Sequence, residues 1–301
     1  MEEYTGREIA IFTDIHGLLE PLEATLNDIK KRGIKEIYSL GDNIGSGPNP
    51  KEVLILLKNN HVKTLSGNRE DYIIFGEESF SYLNKEEIDS SNWTKNKIGE
   101  SGKEIIEIYP HSYELNVGGN KVGLCHFPND PRFDYNDSNR TTWSYQKHFD
   151  STRTGERLDN EASNQFKYTN SEEQFIEMQA QINKYGKNSP RTRGIMSAIK
   201  EPLFNGKSIF NFDDIFFGHV HWELEDKTNK TNFHSLRGLA IAYRNDPIDK
   251  AYYIILKEKK DNKGFDIEKV LVKYDREKMK ESILKSTIED NKIIKYASIN
   301  N

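Results

Sequence analysis

The chain has 301 residues, long enough for a sizeable core, and its 35% hydrophobic and 30% charged residues with 15 Tyr and 15 Phe exclude a disordered tail. Its 43 Lys plus Arg against 48 Asp plus Glu give a formal charge of -5, which excludes a general nucleic-acid coat and leaves room for a local basic site. With a single cysteine, Cys125, an acidic Met1-Glu2-Glu3-Tyr4 start and no apolar run near the roughly 20 residues that cross a bilayer, the expectation is a cytoplasmic chain with no membrane contact.

Ile9-Ala10-Ile11-Phe12 reads as a buried strand bounded by Asp14. A helix follows, with Leu18, Leu22, Leu26 and Ile29 on one stripe and Gly33 as its stop. Ile37 to Leu40 is a second strand running into Gly41-Asp42, and Gly45, Gly47, Pro48 and Pro50 mark the loop after it. Asn49 as cap, Pro50 at the first position and Glu52 as a capping-box carboxylate start the next helix, before Val53, Leu54, Leu56 and Leu57. A third strand, Val62 to Ser66, ends at Gly67-Asn68, and three strand-helix units predict a parallel sheet.

Ser112 to Val117 alternates and turns through Gly118-Gly119-Asn120 into Lys121 to Cys125, a hairpin that adds antiparallel pairing. Residues from about 128 to 205 are rich in Asn, Ser, Thr, Arg and Lys, yet carry a helical pattern with Ser171 and Gln174 as capping box and Phe175, Met178 and Ile182 as stripe. They read as a structured, lid-like insertion in one domain spanning 1–301. Asp214 to Phe217 is a strand ending at Gly218-His219-Val220-His221. Leu239 to Tyr243, Ala251 to Leu256 and Phe265 to Tyr274 read as further strands, Lys257 to Lys263 as a solvated turn, and Arg276 to Ile288 as a helix.

Asp14 and His16, two apart at a strand end, leave on one face and can meet one ion. Alone, such a pair is as consistent with a helix cap and a surface histidine. The same holds for Gly41-Asp42, Gly67-Asn68 and His126 taken singly. All of them, and Gly218-His219-Val220-His221, follow directly on an apolar strand, and in a parallel sheet those ends converge where open α/β folds bind ligands. The set holds two carboxylates, one amide and four imidazoles, without thiolate, which suits Mn, Fe, Zn or Mg. It exceeds what one ion needs, and two ions roughly 3.5 to 4 Å apart are an established device for hydrolytic transfers.

Asp14-Ile15-His16, Gly41-Asp42, Gly67-Asn68, His126 and Gly218-His219-Val220-His221, in that order, resemble the five blocks of the calcineurin-like metallophosphoesterases. The wording from Asp14 to Gly17 and from Gly41 to Pro50 is similar to the small bacterial and archaeal phosphodiesterase branch, and lacks the Asp-Arg-Gly continuation of the Ser/Thr protein phosphatases. The resemblance covers most of residues 7–126 and 210–275. It implies a four-layer α/β/β/α sandwich of two mixed sheets flanked by helices. It also implies two divalent ions, manganese first, with iron, zinc, nickel or magnesium as alternatives. Asp14, His16, Asp42 and His221 would hold one ion, and Asp42, Asn68, His126 and His219 the other, with Asp42 bridging. The implied reaction is hydrolysis of a phosphodiester or phosphomonoester, including nucleotides, by a water or hydroxide between the ions. The ligands position the reactants and stabilise charge.

The family usually continues Gly-Asn-His-Asp/Glu, whereas this chain has Gly67-Asn68-Arg69-Glu70, so the usual candidate general acid is missing. Arg69 cannot donate a proton near neutral pH, but its planar fork fits phosphate oxygens. One reading places Arg69 on the phosphoryl group, with Asp42, Asn68 and His126 as the other catalytic candidates. The other pairs it with Glu70 or Asp71 at the surface. His61, His111 and His148 read as structural or surface residues, Cys125 as a small buried hydrophobe, and His234 as a candidate neighbour of the ligands. Phe133, Tyr135, Trp143, Arg132, Arg140, Arg153 and Arg157 either select substrate from a lid or pack the insertion on the body. Competing functions are a dinucleoside-polyphosphate hydrolase, a phosphoprotein phosphatase, and a non-catalytic scaffold on the same fold.

Overall fold

The computed structural model describes residues 3–76, 83, 85–126, 203–204, 207–208, 211–219, 221, 223–228, 230–241 and 250–286. The first half runs β1 (Tyr4–Phe12), α1 (Leu19–Arg32), β2 (Glu36–Ser39), α2 (Pro50–Asn59), β3 (Lys63–Thr64), α3 (Asn68–Phe75) and α4 (Lys85–Glu107). It continues with β4 (Ser112–Val117) and β5 (Asn120–Cys125). The short strands β6 (Leu203–Phe204) and β7 (Lys207–Ser208) pair with each other, followed by β8 (Asp214–Phe217), β9 (Leu224–Thr228) and β10 (Thr231–Ser235). The chain then forms β11 (Lys250–Lys259), β12 (Phe265–Lys273) and α5 (Arg276–Lys285).

Two five-stranded mixed sheets result, ordered β12-β11-β1-β2-β3 and β4-β5-β8-β10-β9. In the first, β1, β2 and β3 are parallel, as three strand-helix units require, while β11 and β12 return antiparallel. In the second, β5, β8 and β10 are parallel between antiparallel edges β4 and β9. β1 is buried on both faces, so its apolar run sorts by alternation. Ile9 and Ile11 pack between the sheets with Tyr38, Val122, Leu124, Phe216 and Ile254. Ala10 and Phe12 face α1 and α2, against Leu22, Leu26, Ile29, Val53 and Leu57. Gly33, at φ 78, ends α1 in the left-handed conformation and returns its N–H to Ile29 and Lys30 carbonyls. The protein is thus an α/β fold of two facing mixed sheets flanked by helices.

Three local expectations differ. Asn49 precedes α2, but its backbone, at φ -122 and ψ 47, is not the extended one typical of a cap residue, and its side chain makes no cap bond. Of the strand expected at Leu239 to Tyr243, residues 239–241 are not strand and 242–243 lie outside the described residues. Leu239 donates to Thr13 and accepts from Tyr252, and these two bonds tie the ends of β1 and β11 together without a ladder. Two elements, α4 and the β9-β10 hairpin, have no counterpart in the sequence reading. The expected helix at Ser171 to Ile182, His148 and the aromatic and Arg residues of the insertion lie outside the described residues.

At the end of β8 away from the histidines, Asp214 accepts from Asn120, Asn232 and His234, each at 3.0 Å. His234 stacks on Phe216, with centroids 4.4 Å apart, and so belongs to this network and not to the expected ligands. Burial pushes the Asp214 carboxyl up, but His234, Asn232 and Asn120 outweigh it and hold the pKa below the usual range. A depressed folded pKa contributes stability that is present above the unfolded value of about 3.9 and is lost as pH falls through the folded value. Wild type is therefore expected to lose more denaturant stability between pH 5 and pH 3 than Asp214→Asn, and parallel losses would contradict this.

Candidate metal centre

The ends of β1, β2, β5 and β8 meet at one edge of the sandwich, and the polar residues that follow them converge there. Five of these residues leave their strands through left-handed backbone, with φ 53 at Asp14, 50 at His16, 51 at Asp42, 70 at His219 and 61 at His221. Such angles are uncommon for side-chain-bearing residues and persist where surrounding bonds over-determine them. Here the loops are laced together. Asp14 donates to the Gly41 carbonyl at 3.0 Å, His16 to Asp42 at 2.9 Å, Gly17 to Asn43 at 2.9 Å, and Gly218 to His126 at 2.9 Å. The glycines before the ligands allow this closeness. A Cβ at Gly218 would collide with Thr13 and Asp14 side chains, and one at Gly67 with the Asp42 carboxylate and backbone N.

Two donor groups result, Asp14 with His16 and His221, and Asp42 with His126 and His219. In the first, His221 Nε2 lies 3.0 Å from Asp14 Oδ1 and 3.1 Å from His16 Nε2. The other Asp14 oxygen is engaged by the Thr13 hydroxyl at 2.7 Å and the His219 N–H at 2.8 Å, which aims Oδ1 at the imidazoles. In the second, Asn68 Oδ1 lies 2.9 Å from His219 Nδ1 and 3.1 Å from His126 Nε2, while its amide nitrogen donates to the Tyr72 hydroxyl at 3.3 Å. His126 Nδ1 meets the Leu40 carbonyl at 3.0 Å, an acceptor only, so it is the protonated nitrogen and Nε2 keeps its lone pair for the site. Asp42 stands between the groups, with Oδ1 3.5 Å from His126 and Oδ2 3.8 Å from His16.

This donor set fits divalent ions. Two imidazole nitrogens about 2.1 Å from one ion stand about 3.0 to 3.4 Å apart for right-angled to tetrahedral coordination. The pairs His16-His221 and His126-His219 are separated by 3.1 and 3.2 Å. His16 Nδ1 is buried with no partner among the described residues, so the ring's polar contacts all lie on its Nε2 side. Electrostatics agree. Burial alone would raise Asp14, yet His221 and His16 hold it well below the usual carboxylate range, and Asp42 is lowered likewise by His126 and His16. Burial opposes charge on His126, but Asp42, Asp14 and Glu70 prevail and raise it to about 9, so without an ion a proton sits on Nε2, in the place an ion would take.

All seven expected ligands thus come together at one edge. Arg69 lies on the same wall. Its backbone N–H donates to Asp42 Oδ1 at 2.8 Å, its stem crosses Gly45, and its guanidinium carbon is 5.8 Å from the Tyr72 ring centroid. Glu70 and Asp71, the other expected partners of Arg69, are both 0% exposed, so neither carboxylate lies at the surface. Asp71 meets Ser66 and His111. His111 is therefore a structural partner of Asp71, His61 is exposed, and burial pushes the Cys125 thiol pKa up. Sequence reasoning missed Thr13, which orients Asp14, and Glu70. The local signals for Glu70 are its acidic place in the run Gly67-Asn68-Arg69-Glu70 and its position three residues after Gly67 at a helix start.

Residues 7–223, more than half of the chain, match the calcineurin-like phosphoesterase family. The chain belongs to that family. An uncharacterized protein of Methanocaldococcus jannaschii is 42% identical over 118 residues, 39% of this chain and 48% of that protein, so the match spans about half of that relative's length. A hypothetical protein of Pyrococcus horikoshii has a similar fold, with a TM-score of 0.60, 15% identity and coverage of 96% of this chain and 97% of its own. A metallophosphoesterase from Sphaerobacter thermophilus aligns with a TM-score of 0.54, 17% identity and coverage of 95% and 96%. Among the described residues, no helix is long and apolar enough to cross a membrane.

Proposed function

We propose that this chain is a two-metal-dependent phosphoesterase that hydrolyses a phosphodiester or phosphomonoester, nucleotides included. The observation that carries this reading is the convergence of seven O and N donors into two groups with Asp42 between them. Asp14, His16, Asp42 and His221 would hold one divalent ion and Asp42, Asn68, His126 and His219 the other, with manganese the first choice. When bound, two such ions lower the pKa of a shared water and neutralise charge on phosphate oxygens. The chain's own residues orient the donors. The Leu40 carbonyl sets the His126 tautomer, Thr13 turns Asp14, Tyr72 turns Asn68, and Arg69 offers its fork to the phosphoryl oxygens.

A non-catalytic scaffold would not need every donor retained and pre-aimed, which favours the enzyme. Dinucleoside-polyphosphate and phosphoprotein substrates are the alternatives within it. The domain is taken as 1–301, with a lid-like insertion at about 128–205 that either selects the substrate or packs on the body.

Arg69 occupies the position of the usual acid, so the leaving group must take its proton from solvent or another histidine. Rates should then fall steeply as the leaving group becomes more basic. The test uses chelator-stripped protein with bis(p-nitrophenyl) phosphate, p-nitrophenyl phosphate and alkyl phosphates, adding back Mn, Ni, Zn, Fe(II) or Mg. Stripped protein is expected to be inactive and metal-restored protein to prefer phenolate leaving groups. No turnover of either aryl ester with any metal would count against the enzyme, and a flat leaving-group dependence against the missing acid.

A further inference from the structure

We infer that Glu70 is a positioning residue that fixes the two ligand-bearing turns of Asp42 and Asn68 as one unit, and so sets the affinity for the second ion. The inference rests on the two-metal reading. Glu70 lies in the first turn of α3 and is 0% exposed, a costly place for a carboxylate unless its oxygens are satisfied. They are, by five N–H groups. Oε2 accepts from the backbone N–H of Asp42 at 3.0 Å and of Gly67 at 2.8 Å. Oε1 accepts from the Asn43 N–H at 2.8 Å, the Asn43 side-chain amide at 3.1 Å and the Ile44 N–H at 3.4 Å.

The two oxygens have different consequences. Oε1 gathers only the loop after Asp42, whereas Oε2 joins the backbone of Asp42 to that of Gly67, the residue before Asn68. Asp42 serves both donor groups and Asn68 the second. No side chain separates these turns, since a Cβ at Gly67 would run into Asp42 itself. The first group has separate support, because Thr13 and the His219 N–H hold Asp14. Loosening the Oε2 link should therefore disturb the group of Asp42, Asn68, His126 and His219 most.

Glu70→Gln isolates that link. A glutamine has one acceptor oxygen, and the three donors at Asn43 and Ile44 will claim it. Its amide then faces the N–H groups of Asp42 and Gly67, donor against donor. Asn43→Ala does the reverse, removing a donor from Oε1 and leaving the Oε2 link intact. Calorimetric titration of metal-stripped protein with Mn(II), alongside thermal melting, reads the difference. Wild type is expected to take two ions per chain. Glu70→Gln should bind the first within a few-fold of wild type and the second about 10- to 100-fold more weakly, the range for loss of an outer partner of a metal ligand. Asn43→Ala should melt lower yet keep both ions, and Glu70→Asp should fall between Glu70→Gln and wild type.

Undiminished second-ion binding by Glu70→Gln overturns the inference. So does a loss in Asn43→Ala of equal size at equal melting temperature, which would make Glu70 merely structural. If Glu70→Gln does not fold, Glu70→Asp decides, and wild-type affinity for both ions in that variant counts against the inference. A wild type that takes fewer than two ions overturns the two-metal reading instead.

Discussion

Asp42→Asn is expected to lower kcat/KM for bis(p-nitrophenyl) phosphate by more than about 100-fold, beyond the range found when only an outer-shell partner of a metal ligand is lost. The carboxylate stands between the two donor groups, with one oxygen toward His126 and the other toward His16. An amide of the same shape keeps an oxygen for the Arg69 N–H, so the fold should survive while one anionic donor and half of the bridge disappear. The first group would retain Asp14, His16 and His221, so some metal should still bind. Assays at saturating Mn, with metal content measured in the same samples, check this. Activity within tenfold of wild type in a variant of unchanged metal content would remove Asp42 from the reaction.

Arg69→Ala is expected to lower kcat/KM about 10- to 100-fold, because a hydrogen bond to a charged group contributes about 1.5 to 3 kcal/mol and each 1.4 kcal/mol is a factor of ten. The expectation rests on placement. Residue 69 follows Asn68, its N–H grips Asp42, its stem passes Gly45, and its guanidinium carbon lies 5.8 Å from the Tyr72 ring centroid. Its reach to substrate thus starts from the wall that carries the second donor group. Arg69→Lys should recover only part of the loss, since an ammonium lacks the planar fork. Melting temperatures control for the packing over Tyr72. An unchanged kcat/KM in Arg69→Ala would place the guanidinium outside the site.

Much of the frame was legible locally. The stripe Leu22, Leu26 and Ile29 with Gly33 after it defined α1, and Gly118-Gly119 between alternating runs defined the β4-β5 hairpin. What stayed hidden had buried faces made of small polar residues. Helix α4 turns Ser90, Ser91, Thr94, Ile98, Gly102 and Ile106 inward, a helical spacing that carries almost no hydrophobic signal, and it breaks at Gly99, where φ is 62. Strand β10 likewise buries Thr231, Phe233 and Ser235 in alternation, two of which are hydroxyl residues. Leu239 to Ile241 misled in the opposite sense. Its apolar residues are buried, but as a bridge between β1 and β11 and a seat for Met279 and Ile283.

The sequence by itself determined which residues are candidate metal ligands, because Asp, Asn and His directly after apolar strands in a fixed order are visible without coordinates. Only the tertiary structure decided how these candidates group. Asp42 became the residue between the groups through the pairing of β1 with β2, which brings residues 28 positions apart together. His219 joined Asn68, 151 positions away, through the facing of the two sheets. It also decided the fate of Glu70, which the sequence presents as an ordinary charge beside Arg69. Exclusion of water from that carboxylate and convergence of five N–H groups on it are properties of long-range packing, which no local spacing encodes.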